Sequence, residues 1–176
     1  MDRPLRRDAQ RNRDLLVAAA REVFGGKGLE APLEEIARRA GVAIGTLYNR
    51  FPARVNLIEA AFMPQLDEAL EIATQALAFD DPWAGLVHFI ELSCDRQSTD
   101  RGFAELCAGA ITAPAIDKAK AAIWEMVLDL VGRAHDSGQL RPDAEAGDLL
   151  TAIAAASNIP DWRRHLTFLL DGFRAK

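Results

Sequence analysis

A chain of 176 residues, 49% hydrophobic and 27% charged, carries enough apolar material for one or two compact domains. Its longest apolar stretch, around Leu149 to Ala156, is far short of a bilayer span, and the first fifteen residues are rich in Arg and Asp. No secretion signal and no membrane contact are therefore expected, and the protein is read as cytoplasmic. The net charge of −5 is unevenly spread: residues 1–55 hold 11 basic against 7 acidic residues, and residues 56–176 hold 10 against 19. A basic end on an acidic body suits a nucleic-acid contact confined to that end.

Taken in chain order, almost every segment has helical spacing and none alternates like a strand. Residues 10–25 place Leu15, Leu16, Ala19, Val23 and Phe24 in one stripe, which Gly25, Gly26 and Gly28 are expected to end. Short helices are predicted over 33–40 and 44–50, with Gly41 between them and Pro52 after them. A long helix follows over 54–77, interrupted or kinked near Pro64, whose ring removes the bond to the Ala60 carbonyl. Asp81-Pro82 opens a fifth helix with Trp83, Leu86, Val87, Ile90 and Cys94 on one face. A sixth covers 101–111. Pro114 starts a seventh that keeps its apolar face from Ile116 to Val131 and stops at Ser137-Gly138. An Ala-rich eighth runs from about Asp143 to Asn158, and a ninth follows Pro160-Asp161, with Asp143 and Asp161 as the expected caps. The fold class expected is all-α, with about nine helices.

The segment from Leu33 to Phe51 has the layout of a helix-turn-helix. Ile36, Ala37 and Ala40 give the first helix an apolar face, small enough for a close crossing. Gly41 supplies the positive φ of the turn. Val42 and Leu47 plug the second helix onto the first, and Phe51 closes the cluster. The remaining face of the second helix, with Ala43, Ile44, Gly45, Thr46, Tyr48, Asn49 and Arg50, is small, polar or basic and suits a DNA major groove. Arg54 opens the next helix, where its charge can meet a phosphate. Arg3, Arg6, Arg7, Arg11 and Arg13 either reach phosphates or the minor groove as an arm, or form a charged terminus without a role.

Little else in the chain suggests chemistry. Cys94 and Cys107 have no metal spacing and read as small core residues. His88, His135 and His165 are scattered, no nucleophile sits beside an evident base, and no Gly-rich phosphate loop follows a strand. No enzymatic activity, no metal and no cofactor are expected.

The run from Ile36 to Arg54 (IARRAGVAIGTLYNRFPAR) resembles the signature of the tetracycline-repressor family of bacterial regulators. The preceding helix, with Ala18, Ala19, Ala20, Val23, Phe24 and Gly28, is similar to the same pattern. The likeness is strong over residues 10–62 and continues more loosely to the end, through Trp162-Arg163-Arg164 and the stretch from Leu170 to Arg174. It implies a three-helix DNA-binding head over 1–53, and a helical ligand-binding and dimerisation body over 54–176. It also implies that Thr46, Tyr48 and Asn49 face DNA, and that Arg54 occupies the place of a phosphate-binding lysine. Three positions depart from the family pattern: Pro32 and Ala43 stand where capping Ser or Thr is frequent, and Val55 where an acidic residue is. A lost cap costs about 1 kcal/mol locally.

In the body, the last two helices are the expected dimer interface, through Ala152, Ile153, Ala156, Trp162, Phe168, Leu169 and Phe173. A ligand pocket is expected among the fifth to seventh helices, with Trp83, His88, Phe89, Phe103, Cys107, Trp124 and Met126 as candidates. Glu91, Asp95, Glu105 and Glu125 either bias that cavity toward a cation or stand in solvent. The function implied is a homodimeric regulator, by resemblance a repressor, released from a palindromic double-stranded operator by a small-molecule effector. The alternative is a helical small-molecule carrier or interaction protein that does not bind DNA.

Overall fold

The computed structural model describes residues 3–176, with side chains from Asp8 onward. The described residues form α1 (Arg3–Lys27), α2 (Leu33–Ala40), α3 (Ile44–Arg50), α4 (Arg54–Leu77), α5 (Pro82–Thr99), α6 (Arg101–Cys107), α7 (Pro114–Asp136), α8 (Ala146–Ser157) and α9 (Trp162–Phe173). Among them there is no strand, and a single antiparallel bridge links Leu140 to Arg174. No described helix is long and apolar enough to cross a membrane.

Several helix ends differ from expectation, each for a local reason. α1 starts at Arg3 rather than near residue 10, since Pro4 falls in a first turn, where proline is tolerated, and no breaker follows before Gly25. Gly25 and Gly26 stay helical, and the chain turns only at Gly28, with φ +90°. α6 stops at Cys107, short of residue 111, because Gly109 takes φ +88°. α4 continues through Pro64 without interruption. Asp143 does not cap α8: it is held by Arg141 at 2.6 and 2.7 Å, and Glu145 is the cap residue, its N–H donating to Asp148 at 2.8 Å. Asp161 makes no capping bond either, for its own backbone is left-handed (φ 57°, ψ 40°), a conformation Asp tolerates better than most residues.

The chain divides into two compact units. The first runs to Pro64 and takes in Asp100–Ala115; the second comprises Gln65–Thr99 and Ile116–Lys176. In the first, Leu16, Phe24, Ile36, Leu47, Leu57 and Phe62 are fully buried, each contributing on the order of 1.5–3 kcal/mol as an upper estimate. α6 belongs to this unit although the chain reaches it only after α5. In the second, Ala73 and Ala76 of α4, Leu86 and Ile90 of α5, Val127 and Leu130 of α7, Ile153 of α8 and Leu166 of α9 share one core. Arg133 closes the end of α4 by donating to the carbonyls of Leu77 and Phe79, the usual placement of a cation at a helix C-terminus. The chain end is tied down by Arg141 N–H donating to Phe173 O and Ala175 N–H to Gln139 O, both at 2.9 Å.

Candidate nucleic-acid interface

The first unit carries the helix-turn-helix. α2 begins with Glu34 and Glu35 and ends with Arg38 and Arg39, charges that oppose the helix dipole at both ends. Lys27 reaches Glu35 at 2.6 Å and holds its carboxyl below the usual range, and Arg39 pairs with Glu22 of α1. These exposed pairs add little individually, but they bind the same side of α2 to α1. Gly41 takes φ 69°, and the Val42 N–H donates to the Ala37 carbonyl at 3.0 Å, which satisfies the helix end and starts the turn.

In α3, Leu47 is fully buried and Phe51, which follows the helix, is nearly so. With the rear face anchored, Ala43, Ile44, Gly45, Tyr48, Asn49 and Arg50 stand exposed, and Thr46 is half-buried. Tyr48 is 48% exposed, although it is the chain's one tyrosine and a residue with much apolar area to hide. Nothing lies within 4 Å of the position a side chain at Gly45 would take. Neither Pro32 nor Ala43 makes a side-chain capping bond, in keeping with their departures from Ser or Thr. Arg13 lies in α1, its guanidinium 5.5 Å from the Phe51 ring centroid, within cation–π range. The side chains of Arg3, Arg6 and Arg7 lie outside the described residues.

Arg54 makes contacts that the sequence does not suggest. Its Nη1 donates to the carbonyls of Leu29 at 2.8 Å and Ala31 at 2.6 Å, both in the turn between α1 and α2. Its Nη1 is therefore a brace inside the unit, a role the sequence reading did not include. Glu105 of α6, which the sequence places beside a cavity or in solvent, is held elsewhere. Its carboxylate accepts from the Leu29 N–H at 2.8 Å and from Arg101 Nε at 2.8 Å, and the first of these is the main cause of its lowered pKa. No local signal points to this bond, which spans 76 positions of the chain.

The expected pocket residues are divided between the units. Phe103 and Cys107 lie on α6, and Phe103 stacks on Phe62 in the first unit's core, with centroids 6.5 Å apart. Trp83 and Phe89 are buried in the second unit's core, Met126 packs at its edge, and Trp124 is exposed. The His88 ring is tilted by 36° against that of Phe79, with centroids 5.0 Å apart, and its Nε2 is buried without a hydrogen-bond partner. Burial pushes the Cys94 thiol up to about 12, which leaves it unreactive as a nucleophile. Of the residues expected to meet a second copy, Ile153 and Ala156 are packed inside their own unit, whereas Ala152, although largely buried, lines the groove beside Phe168. Phe168 is 62% exposed, beside a groove shared by Thr151, Ala155, Leu169, Gly172 and Phe173, and Trp162 is half-buried under Arg163. Among the described residues, no group of three His, Cys, Asp or Glu is placed to hold a metal ion.

Residues 16–61 match the family model for bacterial regulatory proteins of the tetR family, and residues 81–175 match that for the transcriptional regulator SbtR-like C-terminal domain. Among solved structures, the chain is similar to a TetR transcriptional regulator from Streptomyces coelicolor, at 34% identity and a TM-score of 0.60, covering 93% of this chain and 99% of that one. A TetR transcription regulatory protein from Mycobacterium vanbaalenii is 29% identical, with a TM-score of 0.60 and coverage of 98% and 100%. The transcriptional regulator FadR from Bacillus subtilis, solved in complex with stearoyl-CoA, shares the fold at 15% identity, with a TM-score of 0.66 and coverage of 90% and 95%. No curated protein matches the chain.

Proposed function

The chain belongs to the tetracycline-repressor family of bacterial regulators, and from that premise we propose that it is a homodimeric repressor released from a palindromic operator by a small-molecule effector. The observation that carries this reading is the exposed face of α3, which keeps Tyr48, Asn49 and Arg50 in solvent while Leu47 and Phe51 fix its rear. Ala43, Ile44 and Gly45 are small or apolar enough for the backbone to approach a groove wall. Thr46 and Tyr48 offer hydroxyls to phosphates, and Asn49 and Arg50 can reach base edges. Two copies would set their recognition helices about 34–36 Å apart, in successive major grooves.

The dimer contact is assigned to the groove beside Phe168, with Leu169 and Phe173, since an aromatic ring this exposed gains most from a partner. The effector site is assigned to the second unit around Trp83, His88, Phe89 and Met126, where the buried Nε2 of His88 offers a polar contact to a largely apolar ligand. An effector that favours a dimer with another half-site spacing shifts the population away from the DNA-bound form. Pro64, inside α4, is assigned the flexing point, so Pro64→Ala changes the coupling between effector and DNA.

The test is selection of fragmented genomic DNA by the purified protein at about 150 mM salt, where weak non-specific binding is suppressed. An enriched, roughly palindromic site is expected, and Tyr48→Ala should abolish the enrichment without unfolding the protein. No enrichment by the wild-type protein would favour a helical carrier instead.

A further inference from the structure

The turn that feeds the helix-turn-helix is gripped from both sides. Leu29 lies between Gly28, which follows the end of α1, and Leu33, where α2 begins. Its N–H donates to Glu105 of α6 at 2.8 Å, and its carbonyl accepts from Arg54 of α4 at 2.8 Å. Arg54 takes the Ala31 carbonyl as well, at 2.6 Å. Both polar groups of one peptide-bearing residue are thus held by charged side chains from two other helices, and charge-assisted bonds of this kind are about twice as strong as neutral ones. Gly28 completes the arrangement: with φ +90°, a side chain there would come within 2.5 Å of the Glu105 carboxylate, so the absence of one lets the carboxylate close over the turn. α6 is itself fixed tightly enough to aim Glu105. Asp100 caps it through the Phe103 N–H at 2.8 Å, and Phe103 stacks on Phe62.

We infer that Glu105 is a positioning residue for operator binding, acting through the Leu29 backbone, and that Arg54 is its counterpart on the other side of the turn rather than a phosphate ligand. The chain of consequence is short. The turn sets where α2 starts, α2 carries α3 through Gly41, and α3 presents Tyr48 and Asn49. Loosening the turn spreads the orientations of α3, so a smaller fraction of molecules is ready to bind. The inference rests on the regulator reading for its DNA component alone.

The experiment compares wild type with Glu105→Ala, Glu105→Gln, Arg101→Gln and Arg54→Gln. Two readouts are taken: hydrogen exchange over residues 28–33 and 44–50, and affinity between roughly 100 and 300 mM salt for a duplex selected by the wild-type protein from genomic DNA. Glu105→Ala should speed exchange in both segments and weaken binding about ten-fold or more, with an unchanged slope of log affinity against log salt. Glu105→Gln, which keeps an acceptor for the Leu29 N–H, should recover most of the affinity, and Arg101→Gln should behave as wild type. Arg54→Gln should weaken binding with the same unchanged slope, whereas a lost phosphate contact would lower the slope by about 0.9. A variant combining Glu105→Ala with Arg54→Gln should lose less than the two single losses combined, since both act on one turn. If Glu105→Ala does not fold, Glu105→Asp, which withdraws the carboxylate by one methylene, takes its place with the same expectations. Wild-type affinity and exchange in Glu105→Ala, or in Glu105→Asp where that replaces it, overturn the inference, as does a reduced slope for Arg54→Gln. Should the wild type select no duplex, the regulator reading falls and the DNA component with it, while unchanged exchange over 28–33 and 44–50 separately overturns the positioning role.

Discussion

Gly102 of α6 stands so close to Phe24 of α1 that a methyl group in its place would lie 2.7 Å from the Phe24 carbonyl oxygen, and 2.8 Å from the Phe62 ring. A backbone oxygen cannot swing aside as a side chain can. Gly102→Ala should therefore destabilise the protein by about 1–3 kcal/mol, the range seen when a well-packed core is overfilled. Chemical denaturation measures it, and an unchanged midpoint would mean that α6 is free to back away from α1.

Gly45 gives the opposite case. Nothing lies within 4 Å of a side chain added there, and Ala is favoured over Gly in a helix by roughly 0.5–1 kcal/mol. Gly45→Ala should raise the unfolding midpoint slightly while lowering affinity for the selected duplex, because only DNA would meet the new methyl group. Fluorescence anisotropy checks the second half, and undiminished affinity would remove the close backbone approach from the recognition mechanism.

Stability should fall in acid in a way that Glu105 shapes. The Leu29 N–H and Arg101 hold its carboxyl below its ordinary value of 4.5. The folded state therefore favours the ionised form more than the unfolded chain does, and the resulting stabilisation is complete above the unfolded value and lost as pH falls through the folded one. Melting temperatures from about pH 3 to 7 should show a gap between wild type and Glu105→Gln that is widest near neutrality and closes in acid. Glu35 and Asp81 are shifted the same way, so the gap between the two proteins, rather than the wild-type slope, is the quantity to read. A gap independent of pH would mean that the carboxylate charge makes no contribution.

The exposed ring of Phe168 makes the assembly prediction specific. Wild type should sediment at twice the chain mass of 19.2 kDa, and Phe168→Glu should sediment as a monomer with its helical circular dichroism intact. Burying a carboxylate against apolar groups without a partner is costly enough to separate a contact of this kind. A dimer that survives the substitution would place the two-fold contact on another face.

The helix-turn-helix was legible because its determinants are local. Gly41 marks its turn, Leu47 and Phe51 its rear, and the polar face of α3 follows from the spacing of those anchors. Resemblance to the family extended the reading to the helical body, and the helix order agrees with it. What was missed depends on contacts distant in the sequence. The bond from Leu29 to Glu105 has no periodic signature, so Glu105 reads only as a cavity acid or a solvated one. Arg54 was recognisable as a cation at a helix start, but not as one whose Nη1 was already committed to two carbonyls. Phe103 was equally ambiguous, since an aromatic on a short helix fits a ligand cavity and a core alike. Ile153 and Ala156 share a helix with Thr151 and Ala155, and only the packing of α5 against α8 shows which face looks inward. Asp143 and Asp161 have the composition of caps, but a neighbouring arginine claims one and a left-handed backbone removes the other.

The first unit is not a continuous stretch of chain, because Asp100–Ala115 completes it. A fragment ending at Pro64 would leave Phe24 and Phe62 without Phe103, and the Leu29 N–H without its acceptor. During synthesis the same deficit is temporary. The residues nearest the N-terminus leave the ribosome first, at roughly 5–20 residues per second, yet they must wait several seconds for α6. Closing a loop across so many positions also slows the search for the final packing. The helices that recognise DNA would thus reach their mature arrangement only once the chain has been made through α6, so that a chain cut short before Asp100–Ala115 has little capacity to occupy an operator.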